Sequence, residues 1–310
     1  MAYADNTLNG LIQLNNKNLD QIEVSDLLQN APLMNVIFTK TVDGTLHEYV
    51  KETVAAGSAF RAIDDGVTNT VAQTQLVQDV LKFMDASFGR DIAVAKGYAK
   101  GVDAYMAMQA QKALKAAFFN LEKQLLYGTG NDANGFTGIA NTLDNLDDSM
   151  VINATGTESG TIKTSVFLIR AADEDIAFIL GSGGNVELSE VYKAAAAGSA
   201  TGTYTQLRMD ISGYVGMQMG SIYIAGRIVN ITNESGKGLT DDLIATALSK
   251  FPSGRGATHI VMNRDALAML RDSRTATNAT GAPAPFPTDS FGFPIVVTDA
   301  VSSAESLVTT

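Results

Sequence analysis

The chain has 310 residues, and among them there is no cysteine and no tryptophan and there are only two histidines. The absence of cysteine excludes disulfides, thiolate metal ligands and cysteine nucleophiles. His47 and His259 lie far apart and outside any HExxH or HxH spacing, so a zinc site would lack its imidazole ligands. The sequence also lacks a run of eighteen apolar residues and an N-terminal signal peptide, which predicts a soluble chain that is neither secreted nor membrane-spanning.

Basic residues are scarce as well, because 22 Lys and Arg stand against 33 Asp and Glu, for a formal net charge of −11. Proteins that grip phosphate backbones need a concentrated basic surface. The balance therefore excludes a chain whose main role is nucleic-acid binding, but it allows a container that encloses nucleic acid through weak contacts. Hydrophobic residues make up 45%, which is enough for a large core divided between about two linked domains.

No catalytic constellation emerges from the motifs. A GxSxG elbow is missing, and neither residues 181–184 (GSGG) nor residues 235–238 (SGKG) complete a phosphate-binding loop. Residues 131–135 (NDANG) resemble part of a calcium loop, but its first acidic ligand and its closing Glu are absent. We therefore predict no catalytic, cofactor-binding or metal-binding residues and interpret these segments as loops and turns.

The first 73 residues read as extensions rather than as core. Residues 1–34 form an arm with one short amphipathic patch, Val24, Leu27 and Leu28. Residues 35–73 are extended, and Asp43-Gly44 is a strong hairpin signal. A lone hairpin is marginal in water, so we predict that its apolar side chains are buried between subunits, with Gly57 and Gly66 as hinges. These contact residues are Val36, Phe38, Leu46, Tyr49 and Val50.

Two helices are predicted next. Thr74 can cap the first, whose apolar positions run from Leu76 to Met84 before it ends near Phe88-Gly89. The second runs from about Asp103 to Tyr127 and ends at Gly128. Its apolar stripe recurs at intervals of four, three and four and consists of Leu114, Phe118, Leu121 and Leu125.

Strands dominate the rest of the chain. Residues 166–169 form a buried strand, residues 204–211 alternate between apolar and polar, and residues 221–231 form a third strand with Gly226 as a bulge. We predict that these three form an antiparallel sheet beside the long helix. From residue 240 onward, strands and helices alternate, which favours a compact α/β unit.

Three segments, in order along the chain, resemble tailed-bacteriophage major capsid proteins of the Hong Kong 97-type fold. Residues 118–130 (FFNLEKQLLYGTG) with 135–139 (GFTGI) resemble that family's "helix, GtG, G-L" passage. Residues 257–263 (ATHIVMN) resemble its "strand, Met-Asn, helix" stretch, and residues 291–299 (FGFPIVVTD) its "G-x-P-V, then Asp" strand. The candidate strands at 166–231 precede this last strand, which indicates a subgroup with permuted element order.

The resemblance implies an α+β fold with an N-terminal arm, an extended E-loop hairpin, a peripheral domain holding a long spine helix and an antiparallel sheet, and an α/β axial domain. The implied boundaries are 1–34 for the arm, 35–73 for the E-loop, 74–131 and 155–225 for the peripheral domain, and 132–154 and 226–310 for the axial domain.

The resemblance also implies a function. The chain would be a structural, non-enzymatic capsid protein that assembles with itself as pentamers and hexamers into an icosahedral shell. That shell would enclose double-stranded DNA without sequence-specific binding, in a virion assembled in the host cytoplasm. A separate scaffolding protein, a portal and decoration proteins would be its partners. The alternatives are an encapsulin-like nanocompartment shell and a ligand-binding or enzymatic α/β protein that uses the glycine-rich loops 128–138 and 181–184.

Overall fold

The computed structural model describes residues 31–66, 71–181, 187–197, 202–276 and 282–310. A short 3₁₀ helix, Pro32–Asn35, opens this part of the chain. The strands that follow are β1 (Phe38–Thr41), β2 (Leu46–Val54), β3 (Gln73–Val80), β4 (Lys82–Asp85), β5 (Phe88–Asp91), β6 (Val151–Asn153), β7 (Lys163–Ile169), β8 (Ile176–Leu180), β9 (Glu187–Leu188), β10 (Tyr192–Ala197), β11 (Thr203–Met209), β12 (Ile211–Met219), β13 (Ala225–Thr232), β14 (His259–Met262), β15 (Asp289–Ser290) and β16 (Phe293–Val297). The α-helices are α1 (Ile92–Lys96), α2 (Val102–Tyr127), α3 (Ile139–Thr142), α4 (Asp241–Ser249) and α5 (Arg264–Ala276).

The largest sheet is six-stranded, in the order β15-β16-β14-β7-β13-β6. Its central strand β7 is buried from Thr164 to Ile169, and every residue of β13 is buried. A strand covered on both faces needs a continuous apolar run rather than an alternating one. Residues 166–169 supply such a run, so the predicted buried strand is confirmed.

The predicted hairpin of residues 36–50 is wrong. Gly44 does make a turn, at φ +85°, but the strands on its two sides join different sheets. β1 runs parallel to β8, with Phe38 opposite Ala177. β2 instead pairs antiparallel with β3, from Leu46 opposite Val80 to Glu52 opposite Thr74. The real hairpin is therefore a long two-stranded ribbon, β2–β3, whose far end lies between residues 54 and 73.

The helix predicted from Thr74 to Phe88 is also wrong, because β3, β4 and β5 occupy this segment. Its apolar residues satisfy helical spacing and strand pairing equally well. Pairing with β2 decides the outcome for β3, and pairing with β12 decides it for β4. Gly57 and Gly66 consequently lie in the segment that joins β2 to β3, far from the ribbon's base.

The strands predicted as one antiparallel sheet beside the long helix belong to separate sheets. β11 lies in a three-stranded sheet, in the order β10-β11-β5, whereas β7 and β13 lie in the six-stranded one. β12 belongs to a five-stranded sheet with β1, β8, β4 and β9. The irregularity in β13 falls between Ile228 and Ile231, at Asn230 with φ +57°, and not at Gly226.

The position of β7 also bears on the domain division. Residues 155–225 were assigned to the peripheral domain, but β7 pairs with β13 on one side and β14 on the other. Residues 163–169 therefore share one core with residues 226–310, and that core also includes Leu121, Phe178 and Val215. The division into domains stays a prediction.

The long helix α2 has 26 residues and is therefore about 39 Å long at 1.5 Å per residue. It begins one residue before the predicted start and ends as predicted at Tyr127. Gly128 ends it at φ +54°, and a Cβ there would lie 2.0 Å from the Gly138 backbone nitrogen. Both the backbone conformation and the close approach require glycine, so Gly128 fixes where the helix stops and how the next loop folds back.

We expect Gly128→Ala to lower the free energy of unfolding of the unassembled subunit by at least about 4 kcal/mol, because backbone strain adds to a clash that no rotamer relieves. Gly101→Ala is the matched control at the other end of α2. Its φ is +94° and the space around it is open, so only strain of about 1 to 3 kcal/mol applies. Urea unfolding of both variants checks the difference, and equal losses would contradict the role of the close approach.

A buried carboxylate joins three separate segments of the chain. The Glu122 side chain on α2 is 0% exposed. It accepts a hydrogen bond from the Leu33 backbone N–H at 3.3 Å and another from the Thr298 hydroxyl. Burial raises the pKa of Glu122 to about 7, against the opposing effect of these hydrogen bonds. The base of the N-terminal arm is thus tied to the long helix and to the segment after β16.

Because the folded pKa lies above the unfolded value of 4.5, the folded state binds this proton more tightly. The contribution of the protonated Glu122 to the free energy of unfolding is fully present below about pH 4.5. It is lost as the pH rises to about 7, a change of about 3 kcal/mol. We expect Glu122→Gln to remove this decline, because glutamine does not titrate. The altered hydrogen bonds of the glutamine change the free energy of unfolding by the same amount at every pH. Urea unfolding at pH 5 and pH 7.5 measures it, with Glu52→Gln as the exposed control. Parallel pH profiles for wild type and Glu122→Gln would show the expectation to be wrong.

Candidate assembly surfaces

The β2–β3 ribbon has two faces of different chemistry. Residues opposite each other in the register share a face, and successive residues alternate between faces. The outer face carries two apolar cross-strand pairs, Leu46 with Val80 and Val50 with Leu76. These side chains are 42%, 64%, 67% and 54% exposed, respectively. In the part of the chain that the structure describes, no layer covers these four side chains.

The polar pair Glu48 and Gln78 lies between the two apolar pairs on the outer face. The Gln78 amide donates a hydrogen bond to Glu48 at 2.5 Å. From Leu46 to Val50 the outer face is therefore apolar, polar and apolar along the ribbon, and Glu48 is the charged residue between the two apolar pairs.

The inner face attaches the ribbon to the five-stranded sheet. The His47 ring is 8% exposed and lies 2.8 Å from the Gln218 side-chain oxygen on β12. The Tyr49 hydroxyl donates to the Met219 carbonyl at 3.1 Å. Burial raises the pKa of Asp79, opposite His47, and the nearby imidazole opposes that rise. These contacts fix the base of the ribbon to the body of the subunit.

Three further apolar residues lie at the far end of the ribbon, in the segment that joins its strands. Phe60 and Ile63 are fully exposed, and Val71 is 79% exposed. Exposed apolar residues of this kind are candidates for contact with another molecule. Together with the outer-face residues they make up the candidate contact residues, the ribbon surface, which comprises Leu46, Val50, Phe60, Ile63, Val71, Leu76 and Val80.

The five residues predicted as inter-subunit contacts lie in four different places. Leu46 and Val50 lie on the ribbon surface. Tyr49 points to the inner face and contacts the subunit's own β12. Phe38 is 46% exposed on β1, and Val36 is half-buried beside the 3₁₀ helix. The structure therefore brings two of the five together, and inter-subunit burial of any of them stays a prediction.

Sequence reasoning missed Leu76 and Val80 because the segment was assigned to a helix. The signal that could have found them is the alternation of apolar and polar residues, Leu76, Gln78 and Val80 against Gln75, Val77 and Asp79. That alternation is imperfect, since Val77 is apolar on the inner face. Val77 lies on the face of the ribbon that is turned toward the body, where it is half-buried.

The glycine-rich loop 128–138 is closed by its own contacts. The Asn141 side-chain oxygen accepts hydrogen bonds from the backbone N–H groups of Thr129 and Gly138, both at 3.0 Å. The Gln124 amide donates to the Phe136 carbonyl at 2.7 Å. These backbone donors are occupied, so the loop does not present the array of free N–H groups that cradles a phosphate. Residues 182–184 of the other glycine-rich loop lie outside the described residues.

A cleft of about 950 Å³ lies beside the end of α2. Arg227 donates to Glu305 at 2.8 Å, to the Leu143 carbonyl at 3.0 Å and to the Ser165 hydroxyl at 3.2 Å. The Tyr127 hydroxyl also donates to Glu305. These groups bind one another and hold the C-terminal segment in place. Within the described ranges, no group of three His, Cys, Asp or Glu side chains could hold a metal ion.

Asn263, from the "Met-Asn" motif, is also structural. Its side-chain oxygen accepts from the Ala266 N–H at 2.8 Å at the start of α5. Its amide donates to Thr164 on β7 and to Ser303, each at 3.0 Å. The side chain thus joins a helix start, a central strand and the C-terminal segment.

Solved structures that align with this chain include phage capsid proteins and an encapsulin. A chain of bacteriophage Epsilon15 aligns with a TM-score of 0.67 and 17% identity, covering 98% of this chain and 97% of that one. The capsid of bacteriophage JBD30 aligns at 0.47 with 12% identity over 95% and 99%. The SrpI encapsulin of Synechococcus elongatus PCC 7942 aligns at 0.48 with 10% identity over 75% and 97%. The Epsilon15 alignment confirms the predicted Hong Kong 97-type fold.

No curated protein sequence matches the chain. The sequence model of the family described as major capsid protein GP7, however, matches residues 16–309. The chain belongs to this family. It is a structural protein of a capsid shell, and the resemblance read from its motifs is confirmed. No helix of the major capsid protein, as far as its residues are described, is long and apolar enough to cross a membrane.

We expect the double substitution Val50→Thr and Leu76→Thr to reduce shell assembly at least about tenfold, because the loss of apolar burial recurs at every contact. Threonine keeps the strand propensity of the ribbon. The matched control, Glu48→Thr with Gln78→Thr, changes the polar pair on the same face. Assembly yield by sedimentation compares the two, with circular dichroism as the check on folding. A stronger defect in the control would show that the apolar pairs do not carry the contact.

Proposed function

We propose that the major capsid protein assembles as pentamers and hexamers into the icosahedral head shell of a tailed bacteriophage, around double-stranded DNA. The observation that supports this proposal is the ribbon surface. It extends from a body with its own core and presents apolar side chains that the described part of the chain leaves exposed. A shell subunit needs such a surface, because its copies must recognise one another.

The number of exposed apolar residues on the ribbon surface supports a contact worth several kcal/mol. Full burial of a Val or Leu side chain contributes about 1.5 to 3 kcal/mol. The four outer-face residues are roughly half exposed, so covering them contributes several kcal/mol per contact before the cost of ordering the tip. Because every subunit of a closed shell makes this contact, even a modest term decides whether shells form. Among the predicted contact residues, the proposal rests on Leu46 and Val50.

The net charge of −11 supports DNA as contents that are enclosed without being gripped. An acidic wall repels phosphates and leaves packaged DNA mobile. We infer no sequence-specific DNA contact, no cofactor and no enzymatic role for this chain. A separate scaffolding protein, a portal and decoration proteins complete the proposal as partners, with assembly in the host cytoplasm and the virion as the final location.

Replacing residues 55–72 with a short Gly/Ser turn should leave a folded subunit that forms no closed shells. The substitution removes Phe60, Ile63 and Val71 but keeps β2, β3 and the contacts of the inner face. Circular dichroism checks folding and electron microscopy counts closed particles, with the wild-type chain expressed in parallel. Normal shells from the variant would contradict the proposed contact. Wild-type particles filled with protein and free of DNA would instead indicate a nanocompartment.

A further inference from the structure

A groove of about 460 Å³ lies along the middle of α2, between that helix and the five-stranded sheet. Its walls are mostly apolar and include Leu114, Phe118 and Leu121 from α2, Phe178 and Val215 from the sheet, and Met34 from the 3₁₀ helix. Phe118 is 44% exposed there. Half of the helix's apolar stripe, Leu114 and Phe118, therefore faces this groove instead of the core.

The N-terminal arm enters the body at the rim of this groove. Leu33 is 0% exposed in the main core, and its N–H is held by Glu122. Its carbonyl accepts a hydrogen bond from the Ile37 N–H at 3.1 Å. The two residues before it are therefore fixed in position, and Ala31 itself lines the groove. The chain ahead of Ala31 has to start from this point.

The residues ahead of Ala31 lie outside the described part of the chain, but their sequence suits the groove. Val24, Leu27 and Leu28 follow the i, i+3, i+4 spacing of a helical apolar stripe. Leu28 precedes Ala31 by three residues, and three residues span at most about 11 Å. Asp26 adds a negative charge next to this stripe, and Lys115 provides a positive one in the groove wall.

We propose that Val24, Leu27 and Leu28 of the same chain occupy this groove and seat the N-terminal arm against α2. The short tether favours the chain's own arm over that of a second copy, because it holds the stripe at a high local concentration. The inference goes beyond the proposed shell function. It concerns the unassembled subunit, so its test can fail while the shell proposal stands.

The cysteine-free sequence makes disulfide trapping a clean test. Two double variants of the full chain, Leu28→Cys with Phe118→Cys and Leu27→Cys with Leu114→Cys, sample two depths of the groove. The control pair is Leu28→Cys with Ala116→Cys, since Ala116 is exposed on the same helix, next to Leu114 and Phe118, but does not line the groove. Each unassembled subunit is oxidised mildly with diamide and examined by non-reducing gel electrophoresis and intact mass. Circular dichroism of the reduced proteins confirms that they fold.

We expect at least one groove pair to close within the monomer at least about tenfold faster than the control pair, because only the groove pair starts close together. The monomer then loses two hydrogens in mass and runs faster on the gel. Covalent dimers from both groove pairs would show that a second copy's arm fills the groove and would overturn the same-chain assignment. Closure of both groove pairs at the control rate would overturn the proposal altogether.

Discussion

A two-stranded ribbon cannot bury its own side chains, and the organisation of this subunit follows from that constraint. Each residue of β2 and β3 faces one of two sides, and the subunit covers only the inner one. The polar groups of His47 and Tyr49 contact β12, while Val50 and Leu76 face outward. An isolated ribbon of this kind is marginal in water. Contacts with the body support its base, and under the proposed function a neighbouring subunit covers its outer face.

The body is built so that it does not need that other molecule. The six-stranded sheet buries β13 completely and β7 from Thr164 to Ile169, and the C-terminal segment is held against it through Arg227 and Glu305. The side chains of this ion pair are 6% and 9% exposed, so their remaining polar atoms need hydrogen-bond partners. Ser165, Tyr127 and the Leu143 carbonyl are these partners. Folding and assembly are thus divided between the body and the ribbon, so changes to the ribbon surface should alter shells more than they alter the subunit.

The sequence predicts those features whose signal is local and fails where long-range pairing decides. The long helix was predictable because helix formers continue over seven turns and Gly128 ends them. Residues 166–169 were predictable because a fully buried strand has an uninterrupted apolar run. Asp43-Gly44 misled because a turn signal says nothing about whether its flanks pair with each other. Residues 74–88 were predicted wrongly because their apolar spacing fits both a helix and a strand. Only the pairing of β3 with β2, which lies about 20 to 35 residues earlier in the chain, decides between the two. The glycine motif was recognised as a signature, yet its reason, the approach of Gly128 to Gly138, required the structure.

The polar residues on the outer face restrict what can cover it. Glu48 lies between two apolar pairs, so a neighbour that buries Val50 and Leu76 also removes water from this carboxylate. A buried charge without a partner costs several kcal/mol, which would cancel the gain from the apolar pairs. The receiving surface must therefore combine apolar slots with a hydrogen-bond donor or a cation at the spacing of Glu48. For a chain with net charge −11, such a cation would also offset repulsion between copies.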